Sequence, residues 1–168
     1  VNVKSIHSEY INEENINDKL DGLNGLIVAP GFGQRGIDGK ILTIEFARVN
    51  NIPFFGICLG MQMAVIEYAK NVKKINDANS TEISEKCKNP IIDLMTNQKE
   101  IINKGGTMRL GAWDCEIIKN TKSYSIYNKK LISERHRHRY EFNNDYNDKI
   151  FDDNFVKAGI NPNTDLVE

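Results

Sequence analysis

Cysteine is scarce in this sequence, and long hydrophobic runs are missing. The three cysteines among 168 residues stand at unrelated spacings, which fits neither a disulfide framework nor a cysteine-based metal set. No apolar stretch approaches the roughly 20 residues of a membrane-spanning helix, and the first residues do not form a signal peptide. The sequence therefore favours a protein of the reducing cytoplasm with no membrane partner.

An excess of charge of either sign is also missing. Lys and Arg number 22 and Asp and Glu number 23, so the formal net charge is -1. This balance gives no global reason to expect nucleic acid as a partner. A chain of this length can build a sheet covered on both faces, and we predict one domain over residues 1–168.

The two ends of the chain have the pattern of strands. Residues 1–6 alternate between apolar and polar side chains from the first position, which predicts a strand without a leading tail. Residues 165–168 predict another strand that is cut short. We therefore expect a fragment truncated at both ends.

The first half predicts alternating strands and helices. The all-apolar run at 25–29 is typical of a parallel strand buried on both faces. An amphipathic helix follows at 37–49, then a strand at 53–57 and a helix at 59–72. This order predicts a doubly wound α/β fold, in which ligands bind beyond the carboxyl ends of the strands.

The second half predicts an antiparallel extension of a mostly parallel sheet. Residues 90–95, 107–118 and 131–142 have the composition of strands, and no long helix separates them. The polar segment 96–106 ends in two glycines and predicts a loop or lid.

The Gly-Ile-Cys-Leu-Gly segment at 56–60 predicts a nucleophile at Cys58. Flanking glycines permit a strained strand-to-helix turn that exposes the central side chain. The positive end of the helix dipole favours a thiolate there, and the Leu59 backbone N–H can form half of an oxyanion hole. The alternative is a buried structural cysteine.

Pro30-Gly31-Phe32-Gly33 follows the first buried strand. A plain turn and a phosphate cradle are alternatives, although the spacing matches neither a dinucleotide fingerprint nor a P-loop. The remaining interpretation is that the Gly31 N–H supplies the second oxyanion donor opposite Leu59.

Two further segments allow more than one interpretation. Asn-Ser-Thr-Glu at 79–82 is typical of a turn or helix cap, or else Glu82 binds a substrate ammonium. The segment Glu-Arg-His-Arg-His-Arg-Tyr at 134–140 could be a basic nucleic-acid patch, a solvated edge strand, or a place where one arginine fork binds a carboxylate. Nothing in the spacing requires His136 or His138 to be the base for Cys58.

Four segments together resemble one family. Residues 56–62, 78–82, 105–111 and 134–141 are similar to the glutamine amidotransferase domain of CTP synthase, in order and over nearly the whole chain. Gly-x-Cys-x-Gly alone points to the broad class I, triad-type amidotransferases, whereas the segments at 79–82 and 135–140 are specific to CTP synthase. The resemblance implies a flavodoxin-like α/β sandwich.

The resemblance also implies roles for single residues. Cys58 would attack the carboxamide of L-glutamine while Gly31 and Leu59 hold the oxyanion. Glu82 would receive the α-amino group and Arg139 would lie near the α-carboxylate. The remaining residues expected to line the glutamine site are Gly60, Met61 and Gln62.

For the complete enzyme the resemblance implies a glutamine-hydrolysing ligase of pyrimidine biosynthesis. Ammonia would pass to a separate synthase domain, absent from this chain, that aminates UTP using ATP and magnesium, with GTP as activator and a homotetramer as the assembly. No cofactor or metal is expected in this domain. The alternatives are a degenerate, non-catalytic glutamine-binding or scaffold domain, and the amidotransferase of another synthase.

Three features depart from the family pattern. Pro30 replaces one glycine of the family's loop, although Gly31 keeps its N–H. The connection at 96–104 is short for the family's lid. The family's catalytic His-x-Glu lies beyond the segment that matches 166–168, so we assign no general base within this chain.

Overall fold

A computed structural model describes residues 1–94 and 108–168. The predicted loop at 96–106 lies outside the described residues. The chain divides into two compact units, Val1–Asn89 and Pro90–Glu168.

The first unit contains a parallel strand pair joined by a helix. Strand β1, Leu26–Val28, pairs in parallel with β2, Phe54–Gly56, and the helix α2, Ile37–Val49, connects them. A further helix α3, Leu59–Glu67, begins directly after β2 and continues into a π-helical turn at Tyr68–Val72. The predicted order of strands and helices around residues 25–72 is therefore confirmed. The unit also contains the helix α1 (Ile16–Leu20) and the strand β3 (Ala78–Ser80).

Helices α2 and α3 supply much of the core of this unit. Ile44 and Ala47 of α2 and Met63 and Ile66 of α3 are buried. The two helices are also joined by a charged pair, because Arg48 Nη2 and Nε contact the Glu67 carboxylate at 2.6 Å and 3.0 Å. The Glu67 side chain is only 1% exposed, so this pair lies at the edge of the apolar core.

Two predictions for the first unit are wrong. Residues 1–6 form no regular structure, and Val1 and Val3 are exposed. Alternation alone does not make a strand there, since no strand within residues 1–94 and 108–168 pairs with this segment. The parallel pair is not buried on both faces either: Ile27 and Phe55, which are register partners, are 68% and 62% exposed.

The second unit is built from antiparallel strands. Strand β5, Arg109–Ile117, pairs with β6, Leu131–His138, and with the two-residue strand β8, Gly159–Ile160. Strand β4, Asn89–Leu94, pairs with β7, Tyr140–Phe142. The unit also contains short helices at Lys122–Tyr127 and Asn147–Ile150 and a 3-10 helix at Asn144–Tyr146.

The strands of the second unit fall close to the predicted segments, with two differences. The strand predicted over 131–142 is interrupted at Arg139, which separates β6 from β7. The strand predicted at 165–168 is a single bridge between Ile160 and Val167. The predicted α/β class is confirmed, with one parallel strand pair and, in separate sheets, antiparallel strands among the described residues. Within residues 1–94 and 108–168, no helix has the length and apolar character to cross a membrane.

Candidate active site

Cys58 lies on a strained turn between β2 and α3. Its φ of 55° and ψ of -109° place a non-glycine residue in a region that side chains disfavour, at a cost of about 1–3 kcal/mol. The Gly60 N–H donates to the Ile57 carbonyl at 2.9 Å, and the Gln62 N–H donates to the Cys58 carbonyl at 3.1 Å. The Cys58 side chain is half-buried at the first turn of α3. The strand-to-helix turn predicted from residues 56–60 is therefore present.

The two glycines of this turn allow the chain to pass close to itself. A Cβ atom on Gly56 would lie 2.6 Å from the carbonyl carbon of Gly60. A Cβ atom on Gly60 would overlap the carbonyl oxygen of Val28 in β1. Both neighbours are backbone atoms, which cannot move aside without shifting a strand or a helix. The turn therefore requires glycine at both positions, and the tight packing holds Cys58 in its strained conformation.

The loop after β1 approaches the first residue of α3. A Cβ atom on Gly31 would lie 3.2 Å from Leu59 Cδ2. The Leu59 side chain is 1% exposed and belongs to the core, so its contribution at the surface of the turn is its backbone. The N–H groups in the first turn of a helix have no acceptor within that helix. Leu59 directly follows Cys58, so its N–H belongs to this first turn of α3.

Glu82 is held against the same loop. Its Oε1 accepts a hydrogen bond from the Gly33 N–H at 2.9 Å, and Gln34 Nε2 donates to the Ile83 carbonyl at 2.8 Å. The Glu82 N–H in turn donates to Ser80 Oγ at 3.2 Å. Residues 79 and 80 lie in β3, so the predicted turn is present only from residue 81 onwards, while the Glu82 carboxylate reaches the loop that carries Gly31. Sequence reasoning missed the Gly33 contact, because nothing local links positions 49 residues apart.

The remaining predicted residues differ in their surroundings. Gly60 and Gln62 are buried and Met61 is half-buried on α3. Arg139 is exposed and belongs to the second unit. The structure thus places all the predicted site residues except Arg139 in the first unit.

The other two cysteines differ from Cys58. Cys115 is buried, and this burial raises the pKa of its thiol to about 11, which keeps the thiol protonated near neutral pH. Cys87 is half-buried in a turn, where its N–H donates to the Ser84 carbonyl at 3.1 Å, and it has no flanking glycines. Cys58 is therefore the best placed of the three to act as a nucleophile.

A buried charged cluster in the second unit was missed by sequence reasoning. Arg109 is fully buried; its Nη1 donates to Glu141 Oε1 at 3.2 Å, and its Nη2 also contacts Glu168. Burial, followed by the nearby Arg109 charge, lowers the pKa of His136 to about 4. Burial also raises the pKa of Glu168, against the opposing effect of Arg109. An arginine in an apolar run gives no sequence signal for such a position.

The structure shows no candidate metal centre in the part of the chain that it describes. No group of three or more His, Cys, Asp or Glu side chains there is arranged to hold a metal ion.

Comparisons with known proteins point to one family. The family model for glutamine amidotransferase class-I matches residues 1–168. A CTP synthase of Flavobacterium johnsoniae is 59% identical over all of this chain, and a CTP synthase of Clostridium acetobutylicum is 52% identical. This chain spans 31% of the length of each of these two relatives.

A solved structure resembles this chain as well. It is the Trypanosoma brucei CTPS glutaminase domain with bound acivicin, which is 36% identical, with a TM-score of 0.80. The match covers 95% of this chain and 67% of that chain. Since the family model spans every residue, including the strained Cys58 turn, this chain belongs to the class I glutamine amidotransferases.

Proposed function

We propose that this chain is the glutaminase part of a CTP synthase and that it hydrolyses L-glutamine to glutamate and ammonia through Cys58. The observation that carries the proposal is the backbone of Cys58, a non-glycine residue with a φ of 55° at the start of α3. A strained turn of this kind presents a side chain for reaction, as in the nucleophile elbow of hydrolases.

The proposed reaction begins with attack of Cys58 Sγ on the carboxamide carbon of glutamine. The carbonyl oxygen becomes an oxyanion, which the N–H groups of Gly31 and Leu59 stabilise. The nitrogen gains the proton that the Cys58 thiol gives up and leaves as ammonia, and a glutamyl thioester remains on Cys58. Water then attacks the thioester, which releases glutamate and restores the thiol. The loop that carries Gly31 packs against the Leu59 side chain, and this nearness to the first turn of α3 supports the two-donor arrangement.

Charged residues at the two ends of the amino-acid group would fix the substrate. Glu82 would accept the α-ammonium, and its hydrogen bond from the Gly33 N–H supports this role by holding the carboxylate beside the Gly31 loop. Arg139 would bind the α-carboxylate, for which a planar guanidinium is well suited. Its exposure is consistent with a binding role.

His136 is a poor candidate for the general base. It is buried beside Arg109, and its pKa is lowered to about 4, so it is a weak proton acceptor at neutral pH. His138 lies 3.5 Å from Glu141 in the same cluster. We therefore propose that the base is not His136, and we assign no such role to His138.

For the complete protein we propose that the released ammonia aminates UTP to CTP with ATP and magnesium. The names of the relatives support this reading, since each is a CTP synthase. Activation by GTP, a homotetramer and a cytoplasmic location remain predictions from the resemblance.

Covalent labelling tests the proposed nucleophile. A glutamine analogue that carries a diazo-ketone should label Cys58 in the complete protein, and Cys58→Ala should abolish the labelling. Cys87→Ala is the matched control, because Cys87 is also half-buried, and it should leave the labelling unchanged. Labelling that persists in Cys58→Ala would contradict the proposal.

The acceptor reaction is tested with the same variant. Cys58→Ala should lose CTP formation from glutamine and keep CTP formation from added ammonia. If the wild-type protein hydrolyses glutamine but forms no CTP from either nitrogen source, the chain serves another synthase. If the wild-type protein hydrolyses no glutamine, the glutaminase assignment is wrong.

A further inference from the structure

Arg139 occupies the break between two strands with different partners. Strand β6 ends at His138, which is the register partner of Arg109 in β5. Strand β7 begins at Tyr140, which is the register partner of Leu94 in β4. Arg139 therefore stands where the chain passes from one antiparallel pair to another. The direction of its side chain depends on how these two pairs are held together at this residue.

Arg109 connects the two sides of this break. It lies opposite His138, the residue just before Arg139, and its Nη1 donates to Glu141 Oε1 at 3.2 Å. Glu141 is the second residue after Arg139 and is 3% exposed. His138 Nδ1 also lies 3.5 Å from Glu141 Oε1. One buried guanidinium thus links the strands on both sides of Arg139.

The other contacts of Arg109 fix the plane of its guanidinium. Nη2 contacts Glu168 and lies 3.3 Å from His136 Nε2, while the Cζ atom is 5.1 Å from the centroid of the Trp113 ring. The guanidinium group is planar, has partners on both terminal nitrogens and lies against an aromatic ring. It therefore has little freedom to rotate. The position of Glu141, and with it the start of β7, is therefore closely defined.

A general stabilising role would not require these particular contacts. Well-packed apolar residues often stabilise a core as well as a buried ion pair does. What distinguishes Arg109 is that its contacts lie on either side of the one residue predicted to bind the substrate carboxylate. We propose that Arg109 is a positioning residue, which holds the break between β6 and β7 so that Arg139 can bind the α-carboxylate of glutamine. This inference rests on the proposed glutaminase function.

The test compares two substrates in the complete protein. Glutamine carries the α-carboxylate, and its α-amide has a neutral group in the same place. Arg109→Lys keeps the positive charge but removes the planar guanidinium group that contacts several partners at once. We expect it to raise the KM for glutamine about tenfold with kcat within about twofold, and to leave kcat/KM for the α-amide nearly unchanged. The preference for glutamine over the α-amide should fall about tenfold.

Two comparisons separate positioning from general stability. Arg48→Lys alters the arginine–carboxylate pair of the first unit, so it should lower the thermal midpoint and leave the substrate preference unchanged. Adding Arg109→Lys to Arg139→Ala should cause no further rise in the KM for glutamine, because the residue it positions has already been removed. If Arg109→Lys does not fold, Glu141→Gln, which removes the charge on the partner and keeps its shape, should give the same loss of preference.

The outcomes distinguish this inference from the proposed function. Equal losses for both substrates, or additive effects of Arg109→Lys and Arg139→Ala, would overturn the positioning role while glutamine hydrolysis stands. A wild-type protein that hydrolyses no glutamine would overturn both. An unchanged KM in Arg139→Ala would overturn the inference and the carboxylate role of Arg139, while glutamine hydrolysis by Cys58 stands.

Discussion

The backbone of Gly60 packs directly against the carbonyl group of Val28. A Cβ atom at position 60 would overlap that carbonyl oxygen, so the first turn of α3 is held against β1 with no side chain between them. The turn around Cys58 thus depends on backbone packing at the carboxyl end of a strand.

Gly60→Ala should be strongly destabilising. The added methyl group meets backbone that cannot yield without moving β1 or α3, and overpacking of this kind costs about 1–3 kcal/mol or more. Gly25→Ala is the control, since a Cβ there would lie 3.6 Å from the Pro53 carbonyl oxygen, an ordinary contact. Urea unfolding measures both. Equal stability of the two variants would show that the turn is less tightly packed than described.

Cys58→Gly should be more stable than Cys58→Ala. Glycine adopts a φ of 55° without strain, whereas alanine keeps the strain and loses only the sulfur. After allowance for the extra freedom of glycine in the unfolded chain, we expect a difference of about 1 kcal/mol in the free energy of unfolding. Neither variant should hydrolyse glutamine. A less stable glycine variant would indicate that Cys58 is not strained.

Glu82→Gln should separate the charge of Glu82 from its contact with the loop. The glutamine amide oxygen can still accept the Gly33 N–H, so the loop should keep its position. The lost charge should raise the KM for glutamine by about 10–100-fold, as expected for a charged hydrogen bond worth 1.5–3 kcal/mol. Steady-state kinetics measures the change, and Glu85→Gln serves as the control. An unchanged KM would remove Glu82 from the ammonium site.

Arg48→Met should destabilise the first unit. It leaves the Glu67 carboxylate buried without its cation, which costs about 3 kcal/mol when a buried pair is broken. Replacing both residues, Arg48→Met with Glu67→Leu, should recover most of that loss. Glu45→Gln is the control, because Glu45 is 3.9 Å from Arg48 and 40% exposed, and it should change the free energy of unfolding by less than about 0.5 kcal/mol. Urea unfolding measures the free energy of unfolding of the single variant Arg48→Met, the double variant and Glu45→Gln.

His136, in the charged cluster around Arg109, should make the free energy of unfolding depend on pH. The pKa of His136 is about 4 in the folded protein and about 6.5 when unfolded, so the unfolded state binds more protons between these values. The contribution of His136 to stability is complete above pH 6.5 and is lost as the pH falls towards 4. Glu168 has the opposite effect on the free energy of unfolding. Its pKa is raised in the folded protein, so there the folded state binds more protons than the unfolded state.

A variant isolates this contribution from that of Glu168. His136→Gln should flatten the fall in the free energy of unfolding between pH 6.5 and 4, whereas His7→Gln, at an exposed position, should not. Thermal unfolding across this pH range measures both. Identical slopes for His136→Gln and the wild-type protein would contradict the assignment.

The sequence correctly predicted those parts of the fold that depend on residues close together in the chain. The helix at Ile37–Val49 has the predicted bounds because its apolar periodicity and its flanking glycine and asparagine act over short distances. The turn around Cys58 was visible because steric exclusion leaves glycine as the only residue that fits on either side. These features need no knowledge of distant contacts.

Distant contacts account for what the sequence did not reveal. The exposure of Ile27 and Phe55 depends on what packs against the sheet, and apolar composition alone cannot report it. The strand break at Arg139 and the burial of Arg109 depend on pairing between segments about 30 residues apart. The contact between Gly33 and Glu82 spans 49 residues. In each case the deciding partner is far away in the chain.

The strained backbone at Cys58 has a consequence for how such a protein could change over generations. Because glycine at this position would relieve the backbone strain, a single substitution could remove the proposed nucleophile and at the same time increase the stability of the fold. Selection for stability alone would therefore favour a variant with glycine at position 58, which has no thiol. Under the proposed function, cysteine would be kept at this position only while the reactivity of its thiol is needed.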